Sequence, residues 1–174
     1  MAATFLKAKS YNVGASAVET DSITVAGDLM QEAAGNHVNI LLPVDVVVTD
    51  KIDGSAKGQV VAVDKIPSDQ MIVDIGPKTV DAFQKELKKS QTVFWNGTMG
   101  IAEIPQFAKA TQTLAKLLPE LKAKTIVGGG STAEIIAELG LADKITFVST
   151  GGGASLEFLG GEQLPGVVAL RDRI

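Results

Sequence analysis

The stretch Ile126-Val127-Gly128-Gly129-Gly130-Ser131-Thr132 and its counterpart Phe147-Val148-Ser149-Thr150-Gly151-Gly152-Gly153-Ala154-Ser155 decide how this chain is read. In each, an apolar run of strand character gives way to three glycines and then to a segment that can form a helix. Glycine is costly inside helices and strands, so clustered glycines need a reason. Two reasons are open. One is a tight turn between sheet and helix. The other is an anion, because backbone N–H groups without neighbouring Cβ atoms can approach a phosphate closely at a helix start. A single junction would be met by the first reason. Two junctions, beginning 23 residues apart at Gly128 and Gly151, favour the second.

Outward from these junctions the order is regular. Strand 71–75 leads through Gly76-Pro77 to a helix over 78–89, with Pro77 suited to the first helical turn. Strand 91–95 leads to Asn96-Gly97-Thr98-Met99-Gly100 and a helix over 105–118. Strand 124–127 meets the first glycine run and a helix over 132–139, with Ser131 or Thr132 as its expected N-cap. Strand 144–148 meets the second run and a helix over 154–159, ended by Gly160-Gly161. This alternation predicts an α/β fold: a doubly wound, Rossmann-like parallel sheet with helices on both faces, three layers in all. Ligands of such sheets bind outside the carboxyl ends of the strands. The loops 96–100, 128–132 and 149–155 all lie there.

Nearer the N-terminus, residues 1–8 have helical character without an N-cap, and Tyr11 to Gly14 reads as a turn. Residues 21–34 form a helix stopped by Gly35. The apolar run 39–48 suits a parallel strand covered on both faces, with Pro43 marking a bulge or an end. Residues 59–63 read as a short strand of a side hairpin.

Composition narrows the chemistry. A length of 174 residues with 45% hydrophobic and 21% charged residues predicts one domain with a substantial core. A net charge of −4 argues against a nucleic-acid or anionic-membrane partner. No apolar window is long enough to span a bilayer. The chain has no cysteine, which excludes thiolate metal sites and fits a reducing, cytoplasmic setting. His37 is the only histidine and lies in a polar loop, which argues against Ser-His-Asp catalysis and His-based zinc sites. Chemistry here falls to carboxylates, lysines, hydroxyls and backbone amides. Trp95 reads as core, whereas the Asn96 amide could donate to a phosphate at the mouth of the site. Glu103 could accept from ribose hydroxyls, and Lys7, Lys9, Lys78, Lys88 and Lys89 read as solvated cations. Neither glycine run is a Walker motif or a dinucleotide fingerprint of the usual spacing.

Taken in order, Thr4-Phe5-Leu6-Lys7, Leu42-Pro43-Val44-Asp45, Asp74-Ile75-Gly76-Pro77-Lys78-Thr79, Trp95-Asn96-Gly97, the first glycine run, Ser149 to Glu157 and Leu164-Pro165-Gly166-Val167 form one series. It closely resembles the C-terminal, nucleotide-binding domain of the phosphoglycerate kinases, over nearly the whole chain. The resemblance implies reversible phosphoryl transfer between 1,3-bisphosphoglycerate and ADP, giving 3-phosphoglycerate and Mg-ATP. It implies that Gly128, Gly129, Gly130, Ser131 and Thr132 line the nucleotide site, with Asn96 near the phosphates and Glu103 near the ribose. It further implies that Gly151, Gly152 and Gly153 hold the transferring phosphoryl group.

Four substitutions depart from the family pattern. Ser131 replaces the usual magnesium-coordinating Asp, so no protein metal ligand is expected and magnesium would enter with ADP or ATP. Thr98 replaces a Pro, Ala102 a Phe, and Ile72 a Gly near the nucleotide. Relative to the family, the N-terminal domain and the first strand and helix of this domain are not in the sequence. The expectation is therefore a partial C-terminal domain over 1–174. It would bind ADP or ATP but not turn over alone, since 1,3-bisphosphoglycerate and 3-phosphoglycerate need the other domain. The alternative is a nucleotide-binding or structural remnant. The full-length family is usually monomeric.

Overall fold

The computed structural model describes residues 1–170 and divides into two compact units. The first comprises Met1–Leu87 and Met99–Leu114; the second comprises Lys88–Thr98 and the described residues from Ala115 onward.

The first unit opens with α1 (Ala2–Ala8) and α2 (Ile23–Gly35). Its sheet holds β1 (Asp45–Thr49), β2 (Gln59–Ala62) and β3 (Met71–Ile75) in the order β2-β1-β3, and both pairings are antiparallel. Alternation along β1 sends Val46 and Val48 to one face, where they pack with Leu6, Val13, Val63 and Ile66. Val47 goes to the other face, against Ala56, Val73 and Phe107. Two strands read as members of a parallel sheet, 39–48 and 71–75, are thus antiparallel partners here.

The run from residue 39 becomes a strand only at Asp45. Pro43 has no N–H to give a ladder, and the Val44 and Asp45 amides donate to the Thr79 hydroxyl at 3.0 and 3.1 Å. The ladder with the neighbouring strand begins at Asp45, opposite Ala62. Thr79 belongs to α3 (Pro77–Leu87), whose N-terminus Asp45 caps from a distance. The Asp45 carboxylate accepts from the Lys78 amide at 3.1 Å and the Thr79 amide at 2.8 Å. A Cβ at Gly76 would lie 2.3 Å from that carboxylate, so this glycine makes room for a cap.

Asp74 does the same for α4 (Lys109–Leu117), accepting the Ala110 amide at 3.1 Å while its other oxygen takes the Ile75 amide at 2.8 Å. Burial pushes the Asp74 carboxyl up to about 6, against the pull of those two amides and of Lys109. A Cβ at Gly100 would lie 2.6 Å from this carboxylate. The helix expected over 105–118 therefore starts four residues late. Residues Pro105–Phe107 form a separate 3-10 turn that buries Phe107 completely.

The second unit is the Rossmann-like part of this α/β chain: β4 (Thr92–Asn96), β5 (Lys124–Gly128) and β6 (Phe147–Ser149), parallel in the order β4-β5-β6 with flanking helices. Its helices are α5 (Gly130–Glu138), α6 (Gly152–Leu159) and the short α7 (Pro165–Val168). Asn96 pairs with Gly128, and Gly128 with Ser149. The register thus ends all three strands side by side, and their three loops leave from one row. β6 starts later than the expected 144, because Ala142–Lys144 form a 3-10 turn and Thr125 and Thr146 exchange amide-to-hydroxyl bonds at 3.1 and 3.2 Å.

Candidate functional site

At the row of strand ends the two glycine runs touch. A Cβ on Gly152 would stand 2.8 Å from the Gly129 Cα, closer than such contacts occur. Asn96 lies between them and donates its side-chain N–H to the Gly152 carbonyl at 3.2 Å. The same amide nitrogen is 3.2 Å from where a Gly128 Cβ would be, and its oxygen 3.4 Å from that of Gly129. Gly129 also takes φ +96°, a left-handed value that L side chains avoid, and is itself the N-cap of α5. Neither Ser131 nor Thr132 caps that helix. Thr132 is buried and its hydroxyl accepts the Gly97 amide at 3.0 Å; Ser131 is exposed in the first turn.

The six glycines therefore divide. Gly128, Gly129 and Gly152 are required by the protein's own packing and backbone. A Cβ on Gly151 would meet only ordinary contacts at 3.8 and 3.9 Å. Gly130 and Gly153 have open space where a Cβ would go, with no positive φ to explain them. Both lie in the first turns of helices of nine and eight residues, where the amides have no intrahelical acceptor. In α5 the first intrahelical acceptor is the Gly129 carbonyl, taken by Ala133 at 3.0 Å, so the amides of Gly130, Ser131 and Thr132 remain. In the second run Gly151 donates to the Ser149 hydroxyl at 3.3 Å and Gly152 to the Thr150 carbonyl at 3.2 Å, which leaves Gly153 and Ala154. Ser155 ties this turn down, donating to the Gly151 carbonyl at 2.7 Å with Ser149 3.1 Å away.

Chemically the site is a neutral, polar surface where two helix starts with backbone N–H groups lie side by side, suited to an anion whose charge is spread over several oxygens. Among the described residues, no group of three or more histidine, aspartate or glutamate side chains is placed to hold a metal. The structure brings Asn96, Gly128, Gly129, Thr132 and Gly152 together and sets Gly130, Ser131, Gly151 and Gly153 on the adjoining turns. Glu103 is an exposed residue of the first unit, between Gly100 and the Pro105 turn. Sequence reasoning missed the helix-capping roles of Asp45 and Asp74. The signal was present in Val-Asp and Asp-Ile-Gly-Pro, where a carboxylate in an apolar run precedes a helix start.

A parallel sheet with glycine turns at its strand ends places the chain among the Rossmann-like α/β proteins, which bind ligands at that edge. Comparison with known proteins narrows this. The family model described as phosphoglycerate kinase matches residues 1–162. A phosphoglycerate kinase of Pelotomaculum thermopropionicum is 51% identical over 99% of this chain and 44% of its own length. One of Desulfosudis oleivorans is 49% identical over 98% and 43%. The solved phosphoglycerate kinase of Coxiella burnetii aligns with a TM-score of 0.90 and 39% identity, covering 96% of this chain and 43% of that one. The chain belongs to the phosphoglycerate kinase family, and it spans less than half the length of the curated relatives it matches.

Proposed function

We propose that this chain is the nucleotide-binding part of a phosphoglycerate kinase, with residues 1–174 belonging to one partial C-terminal domain. In the reaction, a β-phosphate oxygen of ADP attacks the acyl-phosphate phosphorus of 1,3-bisphosphoglycerate. The new P–O bond makes ATP as the bond to the acyl oxygen breaks, releasing 3-phosphoglycerate as its carboxylate. No side chain need exchange a proton, so catalysis is positioning and charge stabilisation. The backbone of Gly128 to Thr132 and the Asn96 side chain form the nucleotide shelf, and the family resemblance assigns Glu103 to the ribose. Gly151 to Gly153 seat the transferring phosphoryl group, the Gly153 and Ala154 amides giving it donors that need no reorganisation. Magnesium arrives with the nucleotide as part of the substrate; the Ser131 hydroxyl is a neutral and weak ligand for it.

The observation that carries this reading is the open Cβ space at Gly130 and Gly153. Packing or backbone conformation accounts for Gly128, Gly129 and Gly152, whereas Gly130 and Gly153 leave room for something outside the protein. The reading places the protein in the cytoplasm as a monomer; among the described residues no helix is long and apolar enough to cross a membrane. It gives no role to nucleic acid or membrane.

A second reading, a structural remnant that self-associates, is favoured by the exposure of Phe147, Leu156, Phe158 and Leu159 on β6 and α6, each at least half accessible. Calorimetry with ADP, with and without magnesium, separates the two. We expect saturable ADP heat and no sustained ATP formation when the 174-residue chain is given ADP and 1,3-bisphosphoglycerate. Concentration-dependent association without ADP heat would support the second reading instead.

A further inference from the structure

The two glycine loops are held in register by a short chain of contacts within the second unit. The Thr132 side chain is almost fully buried at the start of α5, and its hydroxyl accepts the Gly97 amide. Gly97 takes φ +90°, so it turns the backbone sharply just after Asn96. Asn96 in turn donates to Gly152 in the second loop, which packs on Gly129 in the first. The Thr132 hydroxyl thus accepts from the protein's own backbone, on the Gly97 side.

We propose that Thr132 is a positioning residue. By fixing the Asn96–Gly97 turn it aims the Asn96 amide at Gly152, and so sets the distance between the nucleotide shelf and the phosphoryl seat. This rests on the proposed function for what the loops bind, but the brace itself is a property of the fold. A hydroxyl that acted on nucleotide directly would govern affinity. One that acts through the turn governs alignment of the reacting groups, and misalignment costs rate more than binding.

The test uses the intact gene product with glycine-selective isotope labelling. In the wild type the Gly97 amide should exchange slowly with solvent. Thr132→Val should abolish that protection, and Thr132→Ser, which keeps the hydroxyl, should retain it. In phosphoryl transfer Thr132→Val should lower kcat about tenfold or more while KM for ADP moves less than about threefold. Because Thr132 acts through Asn96, Thr132→Val with Asn96→Ala should be no slower than Asn96→Ala alone. A freely exchanging Gly97 in the wild type overturns the proposal, and this needs no variant to fold. So does a Thr132→Val protein with unchanged kcat, or one with raised KM and intact Gly97 protection. A protein that neither binds ADP nor transfers phosphate sinks the proposed function, while Gly97 exchange still reports on the brace.

Discussion

Glycine positions that look alike in the sequence should respond oppositely to alanine. At Gly152 the added methyl meets the Gly129 Cα at 2.8 Å, and overpacking against backbone typically costs about 1–3 kcal/mol. At Gly153 the methyl meets nothing and alanine favours the helix, so Gly153→Ala should be neutral or stabilise by up to ~1 kcal/mol. Yet Gly153→Ala should cripple phosphoryl transfer in the intact protein, because the methyl fills space meant for substrate. Urea unfolding beside a rate assay checks both; a large stability loss at Gly153 would count against the division. A second residue-scale prediction concerns Asp74. Its carboxyl titrates near 6 in the fold and at the ordinary 3.8 when unfolded, so the folded state holds the proton more tightly. Stability from this group is complete below pH 3.8 and is lost as pH rises through about 6, by roughly 3 kcal/mol at most. The difference in unfolding free energy between wild type and Asp74→Asn should change over that window and flatten above pH 7. A difference constant from pH 4 to 7 would show that burial does not shift Asp74.

At the scale of elements, the capping carboxylates come from strands adjacent to the helices they serve, and their removal should be felt as loss of the helix. Asp45→Ala strips the acceptor from the Lys78 and Thr79 amides inside a buried site, while the Thr79 hydroxyl keeps the residue-45 carbonyl at 2.8 Å. A lost cap with orphaned donors should cost about 2–4 kcal/mol, against a few tenths for an exposed aspartate such as Asp81. Thermal melts of Asp45→Ala and Asp81→Ala side by side measure the contrast. Much of this level was legible in the sequence: β2, β3 and β5 fall where alternation and apolar runs put them, and glycine turns mark the starts of α5 and α6. What was not legible depended on distant partners. The strand from residue 39 was shortened by Thr79, 34 residues beyond Asp45. The first turn of the expected 105–118 helix was displaced by Asp74 and the burial of Phe107. No local pattern announces that β3 pairs antiparallel with β1. The site divides the same way: its glycines were visible, but their separation into packing and open positions needed Asn96, 56 residues from Gly152.

For the whole molecule, the chain has the fold and the family of the phosphoglycerate kinases, and the proposal at this scale is that its glycine loops take a nucleotide. Its most direct test is a titration of the folded chain with Mg-ADP, followed through the amide resonances of its glycines. The account predicts saturable shifts at Gly128, Gly129 and Gly130, with Gly14 and Gly76, which pack against the protein's own carbonyls and carboxylate, unmoved. A folded chain whose first glycine run stays silent at saturating nucleotide would contradict it.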